Sequence, residues 1–175
     1  MKLWSITFCL LFISHSTHSA SFNTGPVFSA FGKHAPVEGV ALPDDAHFKV
    51  AFDVAKGANP GEINRAFESL ARFINMHAAA GVAKENLQLA LVVHGSATLD
   101  VLTNEAYKSR EGTNNGNQAL IKALQKFGVK IQVCGQSTAA HNVKQSQLIP
   151  GVNMALSAMT AHALLQQDGY TLNPW

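Results

Sequence analysis

The chain is poor in charged residues, and that shortage excludes two broad classes of protein. Only 14% of its 175 residues are charged, and 13 basic against 11 acidic side chains leave a formal net charge of +2. Without a basic stripe, the chain lacks the charge pattern of a protein that binds nucleic acid through its phosphates. Hydrophobic residues make up 47% and mean hydropathy is +0.06. A chain of this composition is too apolar to be disordered and too polar to cross the membrane repeatedly.

A long hydrophobic run is also missing, but the first twenty residues have the order of an export signal. Lys2 is followed by an apolar run from about Leu3 to Ile13, and small or polar residues lead to Ala20. The run is shorter than the roughly 20 residues that a membrane-spanning helix needs. We therefore expect cleavage near Ser19 or Ala20, a periplasmic protein, and no membrane attachment afterwards. An uncleaved anchor is the weaker alternative.

Cysteine is scarce as well. The chain has Cys9 and Cys134, and removal of the signal leaves Cys134 alone. A lone thiol cannot form an intramolecular disulfide, even where the compartment is oxidising. It is either buried and inert, paired between chains, or used chemically.

The rest of the chain divides into an arm and an α/β domain. Residues 21–47 hold three prolines and three glycines without a period, which predicts an extended arm that lies on the body or on a neighbouring subunit. Residues 48–175 alternate strand and helix patterns. The strands are predicted at 49–55, 87–93, 129–134, 152–156 and 170–172, and the helices at 62–80, 97–107, 118–127, from about 138, and 157–167. Helical crossovers make such strands parallel and cover both faces. The predicted fold is thus a three-layer α/β/α sandwich with a mostly parallel sheet of about five strands, a flavodoxin-like architecture.

Two strand ends carry the candidate site, since ligands of parallel sheets gather beyond the carboxyl ends of the strands. One end reads His-Gly-Ser and the other Cys-Gly-Gln-Ser. Cys134 and His94 are the candidate catalytic residues. The candidate ligand-binding residues are Gly95, Ser96, Gly135, Gln136 and Ser137.

Cys134 precedes an expected helix start, where unpaired N–H groups and the helix dipole favour an anion. With Ser137 as the predicted N-cap, both features would lower the pKa of the thiol, and the thiolate is the nucleophile. The alternative stays open that Cys134 only packs, as free cysteines often do. His94 is a candidate base or acid for the thiol, or a histidine bonded to backbone, and His141 is a second candidate with the same alternatives.

No metal site or cofactor is expected. The six histidines left after export lack the close helical spacing of a zinc site, and the glycines form no phosphate-cradling motif. We interpret Asp53, inside the first strand, as structural, and His162 as a surface or structural residue. Met154 and Met159 are expected to fill the core.

From Lys49 to Leu172 the chain resembles the DsrE/DsrF-like family, the sulfur-relay proteins that include Tus- and YchN-type members. The resemblance rests on the strand KVAFDVA, the helix through Phe67 and Phe73, the strand end LVVHG, and GVKIQVCGQS followed by PGVNMALSAMTAHALLQQDGY. It implies a five-stranded parallel sheet and assembly as trimers or hexamers. It also implies that the cysteine after the Gly-Val-containing third strand, Cys134 here, accepts sulfur as a persulfide.

Two functions follow. The first is a periplasmic sulfur (persulfide) carrier in sulfur relay, whose partners are sulfur donor and acceptor proteins or small sulfur species. The export signal puts a role in tRNA thiolation out of reach. The alternative is a non-catalytic oligomeric module that binds a small ligand or a protein at the same edge, favoured by the low charge and the apolar arm. A flavin or nucleotide enzyme ranks lower, because no phosphate loop is visible.

Overall fold

The computed structural model describes residues 21–173. The predicted export signal and Cys9 lie outside the described residues. The five strands are β1 Phe48–Val54, β2 Leu87–Val93, β3 Lys130–Cys134, β4 Asn153–Ala155 and β5 Thr171–Asn173. The five α-helices are α1 Arg65–Ala79, α2 Asn104–Glu111, α3 Gln118–Phe127, α4 Gly135–Ala140 and α5 Ala158–Gln167. No helix within residues 21–173 is both long and apolar enough to cross a membrane.

All five strands form one sheet in the order β4-β3-β2-β1-β5, and every neighbouring pair is parallel. The predicted α/β fold is therefore confirmed. In the register, Val93 at the end of β2 pairs with Val133 near the end of β3. The carboxyl ends of β2 and β3 consequently lie at the same level of the sheet.

The two faces of the sheet are covered unequally. One face carries a large core in which β1, β2 and β3 pack under α1 and α3, with Phe67, Leu91 and Leu124 fully buried. The opposite face carries a smaller core that is rich in alanine, including Ala90 and Ala161, and that contains Cys134 under α5. Small residues suit this second face, because they let one helix approach the strands closely.

Three local predictions were wrong. The helix predicted over 97–107 is a 3₁₀ segment at Gly95–Val101 followed by α2, because the Thr103 side chain accepts a hydrogen bond from the Ala106 amide and starts a new helix there. α4 begins at Gly135, so Cys134 and not Ser137 is at its N-cap position. Met154 and Met159 lie outside the core, 38% and 80% exposed, since Met154 is on the edge strand β4 and Met159 is on the outer side of α5.

The N-terminal arm lies against α1, and the buried side chain of Asn75 makes most of its hydrogen bonds to the arm. The Asn75 carboxamide accepts hydrogen bonds from the amides of Val27 and Phe28, at 3.2 and 2.9 Å. Its Nδ2 donates to the carbonyls of Phe28, Phe31 and Gly32. The arm is therefore attached to the body of its own chain.

Candidate thiol site at the carboxyl edge of the sheet

Cys134 ends β3, and its sulfur is surrounded by hydrogen-bond donors. The Ser137 hydroxyl and the backbone N–H groups of Ser137, Ala158 and Gln136 lie around it and favour its charged form. Burial raises the pKa of the Cys134 thiol, but these four donors outweigh burial and bring the pKa below its ordinary value. The geometry therefore favours the thiolate, although the residue is only 6% exposed.

The donors come from two helix starts. Amides in the first turn of a helix have no partner within the helix, so those of Gln136 and Ser137 in α4 and of Ala158 in α5 are free to bind the sulfur. Close contact between α4 and the end of β4 requires a glycine. A Cβ on Gly135 would lie 2.6 Å from the Ala155 carbonyl oxygen.

Ser137 also joins the two strand ends that the sequence identified. Its Oγ accepts a hydrogen bond from the Gly95 amide at 3.0 Å. Because that bond occupies a lone pair, the hydroxyl proton is free to point at the sulfur of Cys134. Gly95 itself has φ +52°, and an added Cβ would lie 2.7 Å from the Ala55 carbonyl oxygen. Glycine therefore lets β2 turn sharply towards Ser137.

His94 lies beside Cys134 but is hydrogen-bonded elsewhere. Its amide extends the β1–β2 ladder by donating to Val54 O at 2.9 Å, and the Val93–Val133 pair makes His94 and Cys134 neighbours on adjacent strands. Val93 and Val133 belong to the large core, so the next residue on each strand points to the α5 face. There the Nε2 of His94 lies 3.1 Å from Asp53 Oδ2.

Asp53 accepts from two histidines. The second is His162 of α5, whose Nε2 lies 2.7 Å from Asp53 Oδ1. Burial raises the pKa of Asp53, but the hydrogen bonds and charges of His94 and His162 outweigh it, so the pKa lies below its ordinary value. The carboxylate is therefore ionised at neutral pH.

The remaining candidate residues are spread around this centre. Ser96 Oγ accepts from the Gly57 amide at 2.9 Å and supports the loop after β1. The side chain of Gln136 donates to Leu156 O at 3.3 Å, so only its backbone faces the thiol. His141 Nε2 lies 3.0 Å from Gly95 O and supports the turn rather than the sulfur.

Sequence reasoning missed two residues of the site, Asp53 and His162, which it assigned to structure. A signal for Asp53 exists, because its carboxylate directly follows an apolar run near the carboxyl end of β1. His162 follows Ala158 by four residues, so both lie on one face of α5. The sheet register and the position of α5 were needed to bring them together.

No group of His, Cys, Asp and Glu side chains within residues 21–173 is arranged to hold a metal ion. His94 and His162 converge on the two oxygens of Asp53 instead of on a common point. Asp53 also lines an open cleft of about 550 Å³ together with Lys56 and Arg65. The lining of this cleft includes Asp53 but neither Cys134 nor His94.

Fold and site together define an α/β protein with a hydrogen-bonded thiol at the carboxyl edge of a parallel sheet. The chain belongs to the DsrE/DsrF-like family, whose model matches residues 49–174. No match was found among the curated proteins.

Two solved structures are similar to this one. A protein of unknown function from Methanobacterium thermoautotrophicum, MTH1491, is 16% identical with a TM-score of 0.53, over 73% of this chain and 99% of that one. The YchN protein from E. coli is 21% identical with a TM-score of 0.51, over 72% of this chain and 98% of that one. At these identities, the likeness shows the fold.

Proposed function

We propose that this protein is a sulfur carrier of a sulfur relay, which holds sulfur as a persulfide on Cys134. One observation carries the proposal: the only thiol among residues 21–173 lies at the edge of the sheet where ligands bind, and the donors around it lower its pKa. The thiolate is the form of cysteine that attacks sulfur. Membership in the DsrE/DsrF-like family supports the same chemistry.

The transfer needs no external oxidant or reductant. The Cys134 thiolate attacks the outer sulfur of a donor persulfide, so a bond from Sγ to that sulfur forms and the S–S bond of the donor breaks. The donor leaves as a thiolate. An acceptor thiolate then attacks the carried sulfur, and Cys134 returns to the thiolate that its hydrogen-bond donors stabilise.

Intact-protein mass spectrometry after treatment with thiosulfate or an alkyl persulfide tests the proposal. Wild type should gain the mass of one sulfur atom and lose it to excess thiol. Cys134→Ser, which keeps the side-chain size, should gain none. The proposal fails if wild type gains no sulfur, or if Cys134→Ser gains as much.

The low exposure of Cys134 favours a second candidate, the non-catalytic binding module. Cys134 belongs to the small core with Ala90 and Ala158, where a small, inert side chain would serve equally well. In that case Cys134→Ala keeps full ligand binding and assembly, and sulfur loading is absent from wild type. The same mass measurement therefore separates the two functions.

Homo-oligomeric assembly and export are part of the proposal. The outer side of α5 and the preceding loop carry exposed apolar side chains, of which Leu156, Met159 and Leu164 are 73%, 80% and 59% exposed. Grouped apolar surface of this kind is typical of an interface. Light scattering should give a trimer or hexamer for wild type and a smaller species for Met159→Lys with Leu164→Lys. A monomeric wild type would contradict homo-oligomeric assembly. A chain that stays uncleaved in the cytosolic fraction would contradict export.

A further inference from the structure

Asp53 determines where the protons of two histidines lie. Its two oxygens accept from Nε2 of His94, at 3.1 Å, and from Nε2 of His162, at 2.7 Å. An ionised carboxylate can only accept hydrogen bonds, so both Nε2 atoms carry a proton. Each imidazole in its neutral form therefore has its free lone pair on Nδ1. The sulfur transfer proposed above does not yet use this cluster.

The cluster adjoins the thiol on two sides. Through the sheet, His94 is next to Cys134 on adjacent strands, which lie about 4.8 Å apart. Through α5, His162 lies one turn after Ala158, whose amide donates to the sulfur. His94 and His162 therefore lie beside Cys134, and neither makes a direct hydrogen bond to its sulfur.

The two imidazoles differ in access to solvent. The His162 side chain is 15% exposed, and its Nδ1 is buried without a hydrogen-bond partner among residues 21–173. The His94 side chain is 30% exposed. His162 therefore has no route for exchanging a proton on Nδ1, whereas His94 has one.

We propose that His94 is the acid of the Cys134 site, and that Asp53 and His162 are positioning residues that hold it through the Asp53–His94 and Asp53–His162 hydrogen bonds. This inference rests on the proposed sulfur transfer and adds its proton path. His94 Nδ1 takes up a proton from solvent, and the Cys134 thiolate attacks the outer sulfur of the donor. The donor's leaving thiolate takes the proton from Nδ1 and departs as a thiol. The charge of Asp53 stabilises the imidazolium that exists between the two steps.

The test has to distinguish His94 from the other titratable groups near it. Asp53 on β1, His162 on α5 and Cys134 on β3 face it, and His141 contacts the neighbouring Gly95. Two substrates that differ only in their leaving group reveal whether His94 acts as the acid, because only one of the two leaving groups needs a proton. An aromatic disulfide releases a low-pKa thiolate that needs no proton, whereas an alkyl disulfide releases a high-pKa thiolate that does.

The experiment follows the single-turnover reaction of the full chain with both disulfides over a range of pH. His94→Gln should slow the alkyl disulfide by about 10²-fold and Asp53→Asn by about tenfold, equivalent to one pKa unit of lost interaction. His162→Gln should slow it in the same direction. All three should slow the aromatic disulfide much less, and His47→Gln, an exposed histidine away from the site, should change neither rate.

A second measurement checks the tautomers directly. Long-range ¹H–¹⁵N NMR of neutral wild type should show both His94 and His162 protonated on Nε2. The inference is overturned if either carries its proton on Nδ1, or if His94→Gln slows the two disulfides equally or not at all. Because disulfide exchange does not require sulfur loading, the carrier function can fail in mass spectrometry while this inference holds, and the reverse.

Discussion

Removing the Ser137 hydroxyl should raise the pKa of the Cys134 thiol by about one unit. The hydroxyl donates one of the four hydrogen bonds that lower this pKa. A hydrogen bond to a charged group contributes about 1.5–3 kcal/mol, and one pKa unit corresponds to about 1.4 kcal/mol. We take the lower end of that range, because three backbone amides remain to hold the thiolate. Ser137→Ala is therefore expected to react more slowly at neutral pH.

The assay is the rate of alkylation by iodoacetamide as a function of pH, with the modified site identified by mass spectrometry. Ser96→Ala is the matched control. Its hydroxyl also accepts from a backbone amide, that of Gly57 at 2.9 Å, but does not contact the sulfur. Each variant leaves one amide without its partner, but the Gly57 amide is exposed to water and the Gly95 amide is partly buried. Ser96→Ala should therefore cost less stability than Ser137→Ala, whose cost is about 1–3 kcal/mol if its amide stays buried. Only Ser137→Ala should shift the midpoint of the pH profile.

The same variant changes how stability depends on pH. The lowered pKa of Cys134 means that the folded state stabilises the thiolate, so this contribution is fully present above the unfolded value of about 8.5. It is lost as the pH falls through the folded pKa. Ser137→Ala should flatten this rise in the free energy of unfolding. An unshifted alkylation midpoint in Ser137→Ala, or an equal shift in Ser96→Ala, would refute the reasoning.

Three further predictions concern the framework of the site. Asn75→Ala should lower the free energy of unfolding in urea by about 3 kcal/mol or more and expose the arm to proteolysis, since it removes five hydrogen bonds. Asn86→Ala, which removes one hydrogen bond of 3.3 Å, is the mild control. An arm that stays protected from proteolysis in Asn75→Ala would contradict this prediction. Burial raises the pKa of Asp100, so wild-type stability should fall as pH rises from about 3.9 through that raised value. Asp100→Asn should remove the fall, and a wild-type stability that rises over this pH range would be the wrong sign. Gly135→Ala should destabilise by about 1–3 kcal/mol, because the new Cβ meets the carbonyl at the end of β4; an unchanged Tm would show that β4 moves freely.

Some elements were predictable because their signal is local. β2 is a nearly continuous apolar run, and its predicted bounds of 87–93 match the structure. α3 has an apolar stripe and ends at Gly128 in the left-handed conformation, and its bounds of 118–127 also match. The helix predicted over 97–107 was wrong because its composition hides the Thr103 cap and the preceding 3₁₀ segment.

The start of α4 was predicted wrongly for a different reason. Ser137 is a good N-cap residue by type, which made a start near Thr138 plausible from sequence. In the structure, its hydroxyl bonds the Gly95 amide and the sulfur of Cys134 instead of capping α4. A side-chain hydroxyl takes whichever partner the tertiary structure presents, and Gly95 is 42 residues away in the chain.

The alternation of strands and helices is readable from the amino-acid pattern, and with it the meeting of the His94 and Cys134 strand ends at one edge of a parallel sheet. That follows from hydrophobic periodicity and chain connectivity, which are short-range properties. The contact between Asp53 and His162, 109 residues along the chain, depends on how α5 packs on the sheet. The reason is physical: a hydrogen bond depends on a few tenths of an ångström between side chains, and packing of α5 on the sheet sets that distance.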